Sequence, residues 1–184
     1  MARDNDDPTS TIKLGTMLEI RVATAEDLPR LHPVVERAYR GESARAGWTH
    51  EADLIVEGTR TDLETLAALV ADPGQRLLIA DRDGEIIGCV QVSDCGKGLA
   101  YLGLLSVDPT LQAGGIGKKL MEAAERVARD VFDARRIEMT VIDKREELIA
   151  WYRRRGYLPS GETRDFPIAM DPPLFMTVLV KPLL

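Results

Sequence analysis

Apolar residues recur along the chain with two distinct periods. Met17-Leu18-Glu19-Ile20-Arg21-Val22 alternates apolar and polar, the pattern of a half-buried strand, so the fold is expected to begin there. Residues 1–16 then form a mobile N-terminal arm ahead of a single domain over 17–184. Leu28, Leu31, Val35 and Ala38 fall at helical spacing behind the capping-box pair Thr24 and Asp27, predicting a helix to about Arg40. Pro29 suits its first turn and Pro33 is a point where it can bend. Thr61 with Glu64 repeats the capping pattern before Leu63, Leu66, Ala67 and Val70, and Asp72-Pro73-Gly74 stops that helix. Residues 76–81 and 85–92 read as strands joined at Asp83-Gly84, a hairpin signal because glycine tolerates positive φ. Residues 99–107 are nearly all apolar, as in a central strand covered on both faces. Ile116, Leu120, Ala123, Ala124, Val127 and Val131 mark one face of a following helix. A strand over 136–142, a helix over 146–155 closed by Gly156, and strands over 157–162 and 174–180 complete an α+β order. Two connections, 41–60 and 162–173, are long and irregular, which is where binding residues collect.

The junction between the apolar strand and its helix carries the strongest chemical signal. Asp108-Pro109-Thr110-Leu111-Gln112-Ala113-Gly114-Gly115-Ile116-Gly117-Lys118 combines glycines, which let backbone approach a ligand, with the first N–H groups of a helix, which have no intrahelical acceptor. Together they suit a phosphate or pyrophosphate. A Walker A loop fails here, with Gln112 where glycine is needed and Lys119 where Ser or Thr is needed. A dinucleotide fingerprint starting at Gly115 fails at Leu120. A glycine turn that only tightens the junction is the plain alternative.

Composition narrows the partners. A net charge of -6 argues against a nucleic-acid groove or an anionic membrane surface, both of which need clustered Lys and Arg, and favours an amine or a neutral small molecule. No apolar run reaches the roughly 18 residues of a membrane span, and the polar, acidic start lacks a secretory pattern, so a cytoplasmic protein is expected. Cys89 and Cys95 lie in or beside a strand-like stretch and read as reduced, buried thiols rather than a disulfide. With His32 and His50 they match no zinc spacing, so no metal is expected.

Val107-Asp108-Pro109 followed by Gln112-Ala113-Gly114-Gly115-Ile116-Gly117 resembles the acyl-CoA-binding motif of the GNAT N-acetyltransferase superfamily, Gln/Arg-x-x-Gly-x-Gly/Ala after a strand ending in Val. Leu148-Ile149-Ala150-Trp151-Tyr152-Arg153-Arg154-Arg155-Gly156-Tyr157 is similar to that family's second hallmark, an apolar helix with Tyr before a Gly-aromatic stop. The resemblance covers nearly the whole chain. It implies a mixed, strongly bent sheet of six to seven strands with helices on both faces and the fourth and fifth strands splayed. The pantetheine would lie along Leu105, Ser106 and Val107, and the pyrophosphate on the N–H groups of Gln112, Ala113, Gly114, Gly115, Ile116, Gly117 and Lys118. The implied activity is transfer of an acetyl or other small acyl group from acyl-CoA to an amine of a small molecule or peptide, directly, through a tetrahedral intermediate. A homodimer is compatible with it. A non-catalytic acyl-CoA sensor or interaction module would keep the same cradle.

Such a reaction needs a neutral amine, stabilisation of an oxyanion and a proton for the departing thiolate. Tyr152 is the candidate acid, because its phenol stays protonated at neutral pH. The alternative is that it only completes the apolar helix face with Leu148. The strand carboxylate often used as base in the family is missing from Ala100-Tyr101-Leu102-Gly103, which leaves Glu51, Asp53, Glu57 and Asp94. Arg145 stands where many relatives carry Asn. For the acceptor, Trp48 and Phe166 are expected as walls, Glu51, Asp53 and Glu57 as groups favouring a cation, and Arg164 as a group that could fix a carboxylate instead.

Overall fold

The computed structural model describes residues 17–40, 54, 55 and 58–184. Seven strands form one mixed sheet: β1 (Leu18–Val22), β2 (Gln75–Arg82), β3 (Glu85–Asp94), β4 (Leu99–Val107), β5 (Arg136–Ile142), β6 (Leu158–Asp165) and β7 (Phe175–Pro182), in the spatial order β1-β2-β3-β4-β5-β7-β6. Neighbours are antiparallel except β4 and β5. Among the described residues there are four α-helices: α1 (Leu28–Tyr39), α2 (Leu63–Ala71), α3 (Ile116–Asp130) and α4 (Glu146–Arg153). α1 and α2 bury Leu31, Val35, Leu66 and Leu69 on one face of the sheet, against Leu77, Ile79 and Cys89. α3 and α4 bury Ile116, Leu120, Ala124, Leu148 and Tyr152 on the other, against Leu78, Val90, Leu102 and Met139. The period-two alternation of the strands sends alternate side chains to these two layers.

Two irregularities shape the centre. β4 and β5 share only three residue pairs, ending at Tyr101↔Glu138, while β5 and β7 share seven, so β4 and β5 part beyond Tyr101. A bulge also interrupts the β3–β4 register between Cys89 and Gln91, and within it Leu104 takes φ 51°. Left-handed backbone at a branched apolar residue costs about 1–3 kcal/mol and persists only where the surroundings enforce it. Here Leu104 is buried in the α1–α2 layer, and its carbonyl accepts from Ser106 Oγ at 3.1 Å.

Local expectations are refined at several points. α2 is capped by Asp62, which accepts from Thr65 N at 2.7 Å, and not by Thr61, because the helix starts one residue later than the Thr61–Glu64 spacing suggests. α1 continues through Pro33 as a single helix. The Thr24–Asp27 pair opens a 3₁₀ turn, Ala25–Asp27, before α1 begins. Cys89 is buried, and burial pushes its thiol up to about 12, but Cys95 is exposed at the end of the β3–β4 hairpin; both are free.

Candidate active site

The strand-to-helix junction is built from the inside outward. Ile116, fully buried, and Leu120 anchor α3 on the sheet. A 3₁₀ turn, Pro109–Gly114, is capped by Asp108, which accepts from Thr110 N at 3.0 Å and Thr110 Oγ1 at 2.7 Å. Gly115 follows in left-handed conformation at φ 72°, and a Cβ there would meet nothing within 4 Å, so the space before it is open. Lys119 N bonds to Gly115 O at 3.2 Å, so the N–H groups of Ile116, Gly117 and Lys118 precede the first helical hydrogen bond of α3. Gln112 and Ala113 lie in the 3₁₀ turn and Gly114 ends it. The Lys118 side chain is exposed, 3.7 Å from Glu122. A Cβ at Gly117 would make ordinary contacts at 3.8 Å with Val107 and Trp151.

Backbone polarity along the end of β4 is set by alternation. Asp108 N donates to Ile87 O at 2.8 Å, which places the N–H of Ser106 on the β3 side and the main-chain groups of Leu105 and Val107 on the side facing the splay. In agreement, Tyr39 Oη, at the end of α1, reaches across and donates to Leu105 O. The Ser106 side chain is turned back into the protein and is buried. The parted strand edge leads to the glycine turn, a shape that accommodates an amide-bearing arm with a pyrophosphate at its end.

Where the strands part lies a cavity of roughly 150 Å³, lined by residues of β4, β5 and α4 and by Tyr39, Arg60, Gln91 and Met176. Tyr152 reaches it from α4. Its ring is buried edge-on against Trp151 and Tyr157, with centroids 5.1 and 6.2 Å away, and burial raises its phenol above the ordinary tyrosine range. The Tyr152 hydroxyl makes no hydrogen bond to any described residue. Arg145, which stands just before α4, and Tyr101, bonded to Thr140 Oγ1 at 2.8 Å, also line the cavity. Arg155 stacks over the Trp151 ring, 3.4 Å from its centroid, and donates to Trp151 O.

The acceptor side is divided. Trp48, Glu51, Asp53 and Glu57 lie outside the described residues. Phe166 packs in a small apolar cluster with Ile55, Ile142, Leu174 and Met170, which joins the 162–173 connection to the end of the 41–55 segment. Arg164 donates from Nη1 to Glu138 at 2.9 Å and from Nε to Glu162 at 2.7 Å. Asp94 accepts from Gly96 N at 2.8 Å in the exposed hairpin and does not line the cavity. Several lining residues went unread in the sequence: Tyr39, Arg60, Gln91 and Thr140. Gln91 and Tyr101 alternate out of phase with the buried Val90, Val92, Ala100 and Leu102, a period-two signal that was available; Arg60 had none. Glu36 on α1 accepts the backbone N–H of Arg60 and of Thr61 at 2.9 Å, and its own carbonyl accepts Arg40 N at 2.8 Å.

The model of the Acetyltransferase (GNAT) family matches residues 35–157. The chain belongs to that family. An IAA acetyltransferase of Azospirillum brasilense is 35% identical over 102 residues, 54% of this chain and 63% of the relative. An S-(2-succino)cysteine N-acetyltransferase of Bacillus subtilis (strain 168) is 28% identical over 153 residues, 77% of this chain and 85% of the relative. The fold is also that of yncA from Salmonella typhimurium, solved with its cofactor acetyl-CoA: TM-score 0.68 and 16% identity, covering 91% of this chain and 94% of that one. Among the described residues no group of three or more His, Cys, Asp or Glu could hold a metal ion, and no helix is long and apolar enough to cross a membrane.

Proposed function

We propose that this GNAT-family protein is an N-acyltransferase that moves acetyl from acetyl-CoA to the amine of a small molecule or peptide, in the cytoplasm. The observation that carries the reading is continuity. β4 lines the cavity of the Tyr152 phenol with Leu102, Gly103 and Leu104 and runs on through Leu105 and Val107 to the turn with open space before Gly115, so one strand traces a path from reaction centre to anion cradle. The residues fit acetyl-CoA along that path: N–H groups from Gln112 to Lys118 for the pyrophosphate, main chain of Leu105 and Val107 for the pantetheine amides, and Ser106 as the buried brace between them. The Bacillus relative, named for an amino-acid acceptor, supports a small polar amine as the other substrate.

In the reaction the amine nitrogen bonds to the thioester carbon and the C–S bond breaks. The sulfur leaves as a thiolate that needs a proton, and the amine must lose one. Tyr152 donates its phenolic proton to the sulfur as charge develops, and regains one from the amine through water. The phenol, held above its ordinary range by burial, is protonated throughout the neutral region and yields its proton only as charge develops on the sulfur. The ammonium gives up its proton through water, which needs no carboxylate in the described lining of the cavity. A non-catalytic acyl-CoA sensor would share the cradle but has no use for an unbonded phenol at its end.

The test is release of CoA thiol from acetyl-CoA in the presence of amine pools, with products identified by mass spectrometry and acetyl-CoA binding measured by calorimetry. Turnover with at least one amine is expected. Binding without turnover across the pools returns the sensor, and absence of binding removes the cradle.

A further inference from the structure

The cavity under the splay has a one-sided charge distribution. Its charged lining residues among those described are Arg60 and Arg145, with no Asp or Glu. We infer that the acceptor amine carries a carboxylate and that Arg60 is the residue that holds it, an inference that rests on the acyltransferase reading of this site.

Arg60 stands between two cavities. It lines the roughly 150 Å³ space beside Tyr152 and an adjoining one of roughly 250 Å³ under α2, whose single described carboxylate, Asp62, is turned to the N-terminus of α2 as its cap. The guanidinium carbon lies 4.9 Å from the Tyr39 ring centroid. Since the Tyr39 hydroxyl is bonded to Leu105 O, the platform beneath the guanidinium is fixed to the strand along which the acyl group would arrive. Glu36, the acid on the facing turn of α1, accepts the main-chain N–H groups of Arg60 and Thr61 and makes no ion pair with the guanidinium. No other described carboxylate pairs with it either.

An arginine stacked on an aromatic ring, with its planar fork on a cavity whose described lining supplies no acid, is matched to a carboxylate from outside. Arg164, which the sequence suggested for this role, already donates to Glu138 and Glu162. A polyamine would bring further positive charge beside the Arg60 guanidinium, an arrangement that disfavours binding. The acceptor class is therefore an amino acid or a related amine with a carboxylate near its nitrogen, and Arg60 is a specificity-determining residue.

The experiment offers acetyl-CoA with matched pairs of L-amino acids and their carboxamides, and with spermidine, reading thiol release and acetylated product. The acids are expected to exceed their amides in kcat/KM, with spermidine poorest. Arg60→Ala should lower the acid-to-amide ratio by roughly 10- to 100-fold, with the calorimetric Kd for acetyl-CoA retained as the check on folding, and Arg60→Lys should recover part of the ratio. The wild-type comparison stands even if the alanine variant does not fold. Equal rates on acids and amides, a preference for spermidine, or an Arg60→Ala protein that scales both arms alike overturns the carboxylate seat and leaves acetyl transfer intact. No turnover with any amine overturns both.

Discussion

Tyr152 differs from phenylalanine by one oxygen, and that oxygen is bonded to no described residue while the ring is packed against Trp151 and Tyr157. Tyr152→Phe is thus expected to leave stability nearly unchanged. If the phenol protonates the thiolate, kcat falls roughly 10²- to 10⁴-fold with little change in the Kd for acetyl-CoA; a variant with wild-type kcat, measured where chemistry limits the rate, takes Tyr152 out of the mechanism. Gly117 offers the complementary separation. Its position has ordinary helical backbone, and a Cβ finds only 3.8 Å contacts, so Gly117→Glu can fold, and a carboxylate in the first turn of α3 favours the helix by about 0.3–1 kcal/mol. The same charge would face the pyrophosphate. Calorimetry should show acetyl-CoA affinity reduced by roughly 10²-fold or more beside an undiminished unfolding midpoint, on the scale of one desolvated charge repulsion. Gly115 is the poorer probe, because at φ 72° any side chain strains the backbone as well.

At the scale of elements, the junction of β1 and α1 is held by a charge network with a readable pH dependence. Arg21 donates to both oxygens of Asp27 at 2.8 Å, and Thr24 N donates to Asp27 Oδ2 at 2.8 Å. The Arg21 hydrogen bonds first, and Thr24 after them, hold the Asp27 carboxyl well below the usual carboxylate range against the opposing effect of burial. A depressed folded value means the contribution is complete above the unfolded value of about 3.9 and is lost as pH falls below it. Asp27→Asn should cost about 2–3 kcal/mol at pH 7, with Arg21 keeping Asp81 as a partner, and should flatten the loss of stability below about pH 4 in denaturant titrations. Nearly every element was legible, because strands here alternate with period two and helices present clean apolar faces. The bulge at Leu104 was not: an apolar run looks the same whether or not one residue is extra, and the left-handed turn is imposed by burial of Leu104 among α1 and α2. The Asp62 cap was misread by one residue because Thr61 with Glu64 meets the capping-box spacing, whereas Asp62, followed by Thr65, caps the helix with its own carboxylate alone.

For the whole molecule, a ligand that binds only the folded chain raises its stability by mass action. Acetyl-CoA at about 100-fold over its Kd should add about 2.7 kcal/mol, a rise of roughly 5–10 °C in Tm for a domain of this size, and Gly117→Glu should show no such rise. The cradle was legible in the sequence since its residues are contiguous from Asp108 to Lys118. The acceptor side was not, because it is assembled from α1, the residues just before α2, β3, β4, β5 and the start of β7, and no spacing rule links Tyr39, Arg60, Gln91, Thr140 and Met176. Glu36 gives this assembly an unusual economy. One side chain and its own carbonyl fasten Arg40 on the way out of α1 and Arg60 and Thr61 on the way back, so the intervening stretch starts and finishes at a single clasp. Holding both ends at one clasp makes the length of the connection inexpensive to vary, since doubling a loop adds only about 0.6 kcal/mol of closure entropy.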